Sequence, residues 1–181
     1  MKQKFNTKQL VLAGVMTALT CILAPMSVPL PITPVPISLT NLVLYVSIFL
    51  LGWKFATLSY LVYLFIGFVG LPVFSGFTGG LAKIVGPTGG YLVGFFFITL
   101  IAGYVVEKTN GNRVAAAAAM ILATAADYAV GTYWLAKLMG ISFTAGLSAG
   151  VIPFIPGDSL KIIAALILGP ALKKRLTKVL S

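Results

Sequence analysis

Long apolar runs, interrupted by short clusters of proline, glycine and charge, set the pattern of this chain. Six runs are long and apolar enough to cross a bilayer as helices, since one crossing takes about 20 residues. They cover about residues 8–24, 37–51, 55–71, 88–106, 114–138 and 158–172. The fifth is overlong, which predicts a tilted helix. Pro25, Pro29, Pro31, Pro34 and Pro36 exclude a helix between the first two runs, because proline fixes φ and offers no N–H donor. Gly52, Trp53 and Lys54 form a tight connection, and residues 107–113 a short polar link. Residues 72–87 form a glycine-rich loop, and residues 140–157 another loop holding Pro153 and Pro156. The pattern predicts an all-α protein: one integral membrane bundle of six transmembrane helices. Five spans, with the second and third runs as one re-entrant unit, are the alternative.

Composition sharpens this picture. The chain of 181 residues is 59% hydrophobic and only 9% charged, where a soluble domain carries about a quarter charged residues. So few charges cannot build a water-facing surface, whereas a lipid-facing one needs none. The apolar start is read as a retained first span, because Ala24-Pro25-Met26 is a poor leader-cleavage site.

Net charge of +10 raises the question of nucleic acid, but the basic residues flank apolar runs. That placement sets membrane topology. With six spans, one side holds Lys2, Lys4, Lys8, Lys54, Lys108, Arg113, Lys173, Lys174, Arg175 and Lys178, and the other Lys83, Lys137 and Lys161. Ten against three places both termini in the cytoplasm and predicts no nucleic-acid partner. The longer proline- and glycine-rich loops then face outward, and a binding site is expected beneath them.

Candidate chemistry is sparse. The chain has no histidine and a single cysteine, which excludes a His-based metal site, a His general base and an internal disulfide. No Gly-Lys-Ser/Thr element is present to cradle ATP. The acids are Glu107, Asp127 and Asp158. Glu107 adjoins Lys108 at a helix end, where a solvated pair suffices. Asp158 and Lys161 stand three residues apart at the start of the last span, on one helical face. Capping with a local salt bridge is one reading; a pair offering an acceptor and a donor to a polar ligand is the favoured one, since a cap needs no lysine inside a span. Asp127 falls mid-span, either as a ligand contact or as a partner for a neighbouring helix. Gly86-Pro87-Thr88-Gly89-Gly90-Tyr91 puts glycine amides at a helix start, where a carboxylate can dock, or else makes a tight loop capped by Thr88. Tyr91 and Phe74 offer apolar walls. On the first helix, Ala13, Gly14, Thr17 and Ala18 make a small-residue face for internal packing or for docking another membrane protein.

Three elements taken together resemble one family. Leu71-Pro72-Val73-Phe74, Gly86-Pro87-Thr88-Gly89-Gly90-Tyr91 and Pro153-Phe154-Ile155-Pro156-Gly157-Asp158 with Lys161 are similar to BioY, the biotin-binding S components of energy-coupling factor (ECF) transporters. The resemblance covers essentially the whole chain. It implies a multi-pass vitamin receptor of the plasma membrane, without cofactor or enzymatic activity. Its partners would be a coupling transmembrane subunit and two ATP-binding subunits. It implies Asp158 and Lys161 as ligands to the polar atoms of biotin, with Tyr91 in the pocket wall. The family's docking pattern, Ala-x-x-x-Ala on the first helix, is met only approximately, by Ala13 with Thr17 or by Gly14 with Ala18. A self-sufficient carrier would show internal repeats, which are not evident, and a membrane enzyme would need more acid–base groups.

Overall fold

The computed structural model describes residues 7–180. Lys2 and Lys4, assigned above to the cytoplasmic side, lie outside that range. Helix α1 (Thr7–Leu23) leads into an antiparallel hairpin of β1 (Val28–Leu30) and β2 (Thr33–Ile37). Then come α2 (Thr40–Phe68), the short α3 (Leu81–Val85) and α4 (Gly89–Phe97). A π-helical turn (Ile98–Ala102) joins α4 to α5 (Gly103–Lys108). The chain closes with α6 (Arg113–Met139), α7 (Phe143–Gly150) and α8 (Ile155–Leu180). Among the described residues, four stretches are long and apolar enough to cross a membrane: Thr40–Phe68, Gly89–Lys108, Arg113–Met139 and Ile155–Lys178. Thr7–Leu23 is apolar but shorter.

Helix α2 is not a straight rod. Gly52 lies at φ 71°, ψ 174°, a region that only glycine occupies without strain. Thr40 and Tyr63 line the same cavity, although a straight helix would hold them about 34 Å apart. The chain therefore reverses at Gly52 into two antiparallel limbs. Glu107 supports that reversal: its carboxylate accepts the Trp53 N–H at 3.3 Å. This corrects the expected solvated pair with Lys108, whose ammonium instead sits 5.6 Å above the Tyr104 ring.

Other expectations are also revised. The fold is mostly helical, but the proline-rich stretch forms a small sheet, so all-α is too strict. Residue 37 ends β2, which delays the second helix to Thr40. The predicted outer loops contain α3 and α7. Helix α8 starts three residues before Asp158, takes Pro170 inside and continues through the basic tail.

Local chemistry explains the clearest helix ends. The Asn112 side chain caps α6, accepting from the Val114 and Ala115 N–H groups at 3.0 and 3.1 Å. Gly140 ends α6 in the left-handed conformation.

The main core forms where α2 packs on α1, α8 and the span from α4 through α5, which in turn packs on α6, around Tyr45, Phe49, Tyr60, Tyr63, Phe74 and Met120. A smaller cluster of Val35, Tyr91, Leu135 and Phe154 packs the hairpin onto α4, α6 and the approach to α8. Facing outward, Val11, Ile22, Phe65, Leu122, Ile163 and Ile167 are each more than half exposed. In water so broad an apolar surface drives association; in lipid it is the surface required.

Candidate functional site

Asp158 sits in the first turn of α8, and its own N–H donates to the Phe154 carbonyl at 2.8 Å. Its carboxylate is therefore not the helix cap. Lys161, one turn on, donates to Asp158 Oδ1 at 2.8 Å, and both side chains are nearly buried. The same ammonium donates to the Ser38 carbonyl at 2.6 Å, tying α8 to the segment that leaves β2. Tyr128 of α6 donates its hydroxyl to Asp158 Oδ2 at 2.6 Å. Both carboxylate oxygens are thus engaged, one by an ammonium and one by a phenol. Removing one partner from such a buried pair leaves a charge uncompensated, a penalty of about 3–5 kcal/mol.

This cluster lines a chamber of about 50 Å³, whose walls also include Asn41, Tyr91, Asp127 and Phe154. A second chamber of about 50 Å³ adjoins it, lined by Thr40, Tyr63, Ser75 and Thr88. Val35, Pro36, Ser38, Tyr91 and Phe95 belong to both linings, so the two voids share one wall. Tyr91 is fixed there by donating to the Gly150 carbonyl at 3.0 Å. The larger hollow in the molecule, about 540 Å³, lies at the opposite, Gly52 end beside Lys54, Glu107 and Lys173. It contains none of the predicted ligand residues.

Of those residues, the structure brings Asp158, Lys161, Tyr91 and Asp127 together around the first chamber and places Thr88 at the second. Thr88 does not cap α4; its buried hydroxyl has no hydrogen-bond partner. Gly89 and Gly90 line neither chamber. Gly89 uses its N–H on the Gly86 carbonyl at 3.0 Å, and a side chain at Gly90 would collide with Trp134. Gly90 thus allows close packing of α4 on α6, and Gly89 the tight passage from α3, where a side chain would strike the Ile84 carbonyl. Phe74 also lines neither chamber: it is fully buried, edge-to-face with Tyr63 at 5.5 Å.

Tyr128, Ser38 and Asn41 were not anticipated. Tyr128 stands beside Asp127 in sequence, yet its partner lies 30 residues away. Ser38 acts through its backbone carbonyl, which no residue type reveals.

On α1 the register is unambiguous. Ala13 and Thr17 are buried, while Gly14 and Ala18 face outward. The Thr17 hydroxyl lies 3.0 Å from both the Ala13 carbonyl and the Ser59 hydroxyl, locking α1 to the second limb of α2. All four small residues line an open groove of about 370 Å³ together with Leu58 and Val62.

With this geometry in place, the comparisons with known proteins are specific. The solved S-component for biotin from an ECF-type ABC transporter superposes with a TM-score of 0.86 at 31% identity, covering 96% of this chain and 95% of that one. The biotin transporter BioY of Thermotoga maritima is 35% identical over 167 residues, 92% of this chain and 96% of its own. The probable biotin transporter BioY of Pyrococcus horikoshii is 36% identical over 168 residues, 93% and 98% of the two chains. Fold and site thus define a membrane-embedded transport component of the ECF S type, which is not an enzyme. The family model for BioY matches residues 1–178, and the chain belongs to the BioY family.

Proposed function

We propose that this chain is the substrate-binding subunit of an ECF transporter and binds biotin between the hairpin, α4, α6 and α8. The observation that carries this reading is the buried Asp158–Lys161 pair, held by Tyr128 and Ser38 and opening on a chamber beneath the hairpin. Biotin offers two ureido N–H donors, a carbonyl acceptor, an apolar sulfur ring and a carboxylate tail. Asp158 accepts from the N–H groups, Lys161 donates to the carbonyl or the carboxylate, and Tyr91 forms an apolar wall. Nanomolar binding requires about 12 kcal/mol. Over about 16 heavy atoms that is roughly 0.8 kcal/mol each, within the limit for small ligands.

Two chambers of about 50 Å³ are far smaller than the ~300–1,000 Å³ of small-molecule sites. Binding therefore requires the shared wall to move. The hairpin, which gives Val35 and Pro36 to that wall, and the 72–87 segment, which gives Ser75 to the second chamber, are the movable parts, a lid whose closure biotin stabilises. Equal protease sensitivity of both segments with and without biotin would rule the lid out.

Counting the two limbs of α2 separately and adding α1 gives six crossings, with both termini in the cytoplasm and the site on the outer side of the plasma membrane. The outward residues Gly14 and Ala18, beside the groove on α1, form the docking face for a coupling transmembrane subunit. Two ATP-binding subunits supply the energy. Calorimetric titration of the purified chain tests the binding reading: biotin is expected to bind saturably at one site while other vitamins do not. A flat biotin titration would sink it. Uptake by the chain alone in liposomes, without ATPase subunits, would instead indicate a self-sufficient carrier.

A further inference from the structure

Four tyrosines surround the middle of α6, and each hydroxyl is already committed. Tyr45 pairs with Thr124, Tyr60 donates to the Leu92 carbonyl, Tyr91 to Gly150 and Tyr128 to Asp158. In their midst lies Asp127, only 3% exposed, lining the same chamber as Asp158 and Lys161. Its Oδ1 receives no hydrogen bond. Lys161 is engaged with Asp158 and Ser38. Gly94, across the helix interface, leaves room for the Asp127 carboxylate where any side chain would strike it. A carboxylate that braced two helices would have found a donor among these neighbours, because a buried acceptor without one is destabilising. The protein supplies none.

We propose that Asp127 contacts the ligand directly: its carboxylate turns from Gly94 into the chamber and accepts one of the two ureido N–H groups assigned above to Asp158, which keeps the other. This rests on the biotin reading above and assigns a distinct role within it. Asp158 is a pre-bonded acceptor held in place by Lys161 and Tyr128, whereas Asp127 is an empty seat that the ligand fills. The substrate class is then a cyclic urea with an N–H on each side, and a ring lacking one N–H is rejected because a buried acceptor stays unpaired.

The test is a cycle of protein and ligand changes. Wild type and Asp127→Asn, with Asp127→Ala as a second variant, are titrated with biotin and with its two lactam analogues, in which one or the other ureido N–H is replaced by CH₂. Wild-type binding of biotin is the control; its absence defeats the biotin reading itself, a separate outcome. Asp127→Asn is expected to weaken biotin about 30-fold, as loss of a charged acceptor does. It should weaken one lactam less than about threefold, since that analogue has already lost the N–H. An equal loss for biotin and both lactams assigns Asp127 to structure and overturns the proposal. So does unchanged affinity, and so does failure of both variants to fold.

Discussion

The two ends of this molecule present opposite kinds of hollow. At the hairpin end, two voids of about 50 Å³ are lined by charged and hydroxyl groups, where Asp158 and Lys161 are fully engaged while Asp127 Oδ1 and the Thr88 hydroxyl have no hydrogen-bond partner. At the Gly52 end, an open groove of about 540 Å³ runs between Phe49, Phe55 and Leu58 with a few charges at its rim. Volume alone would point to the Gly52 end, away from the proposed site. Buried charge is the better guide, because an ion pair taken out of water persists only where geometry and hydrogen bonds compensate its desolvation.

That contrast can be broken experimentally. Asp158→Asn should lower biotin affinity by about 100-fold or more, while Lys173→Gln at the other end leaves it unchanged; isothermal titration of both variants would falsify the assignment if their effects were alike. Tyr128→Phe removes one hydrogen bond to Asp158 and is expected to cost about tenfold in affinity. A fluorescence titration showing full affinity would mean that Tyr128 does not hold the carboxylate for the ligand. Gly52→Ala forces a side chain into a glycine-only conformation and against Glu107. It should destabilise the chain by about 1–3 kcal/mol, seen as a lowered thermal midpoint, with biotin affinity intact in the folded fraction. Leucine at Gly14 and Ala18 should change biotin affinity less than about twofold yet abolish co-purification with the coupling subunit. Retained assembly would move the docking face elsewhere.

How far these features could be read from the sequence depends on how local their causes are. Apolar runs announce helices, and Asp158 with Lys161 announces a pair, because a three-residue spacing is settled within one helical turn. The hairpin was hidden. Prolines 29, 34 and 36 alternate with Val28, Leu30, Val35 and Ile37, and the aligned pairs Val28–Ile37 and Leu30–Thr33 avoid them. A two-stranded sheet consists only of edges, so it tolerates prolines that a central strand would not. The reversal inside α2 was legible as Gly52-Trp53-Lys54, but its support by Glu107 spans 54 residues. The glycines of the 86–91 segment are ambiguous in sequence for a related reason. Glycine before a helix signals either an anion cradle or a close helix contact, and the contact of Gly90 with Trp134 comes from 44 residues away in sequence, where no local spacing shows it. Ser38 and Tyr128 reach the site across the fold, where no spacing rule applies.

Helix α8 begins beside Asp158 and ends among the lysines of the opposite face. Its 26 residues measure about 39 Å. A tilt of only 5° at the Asp158 end would swing the basic end by about 3 Å over that length. On the proposed topology one strut joins the chamber to the far side of the bilayer, and a guest that shifts Lys161 need not send any other messenger.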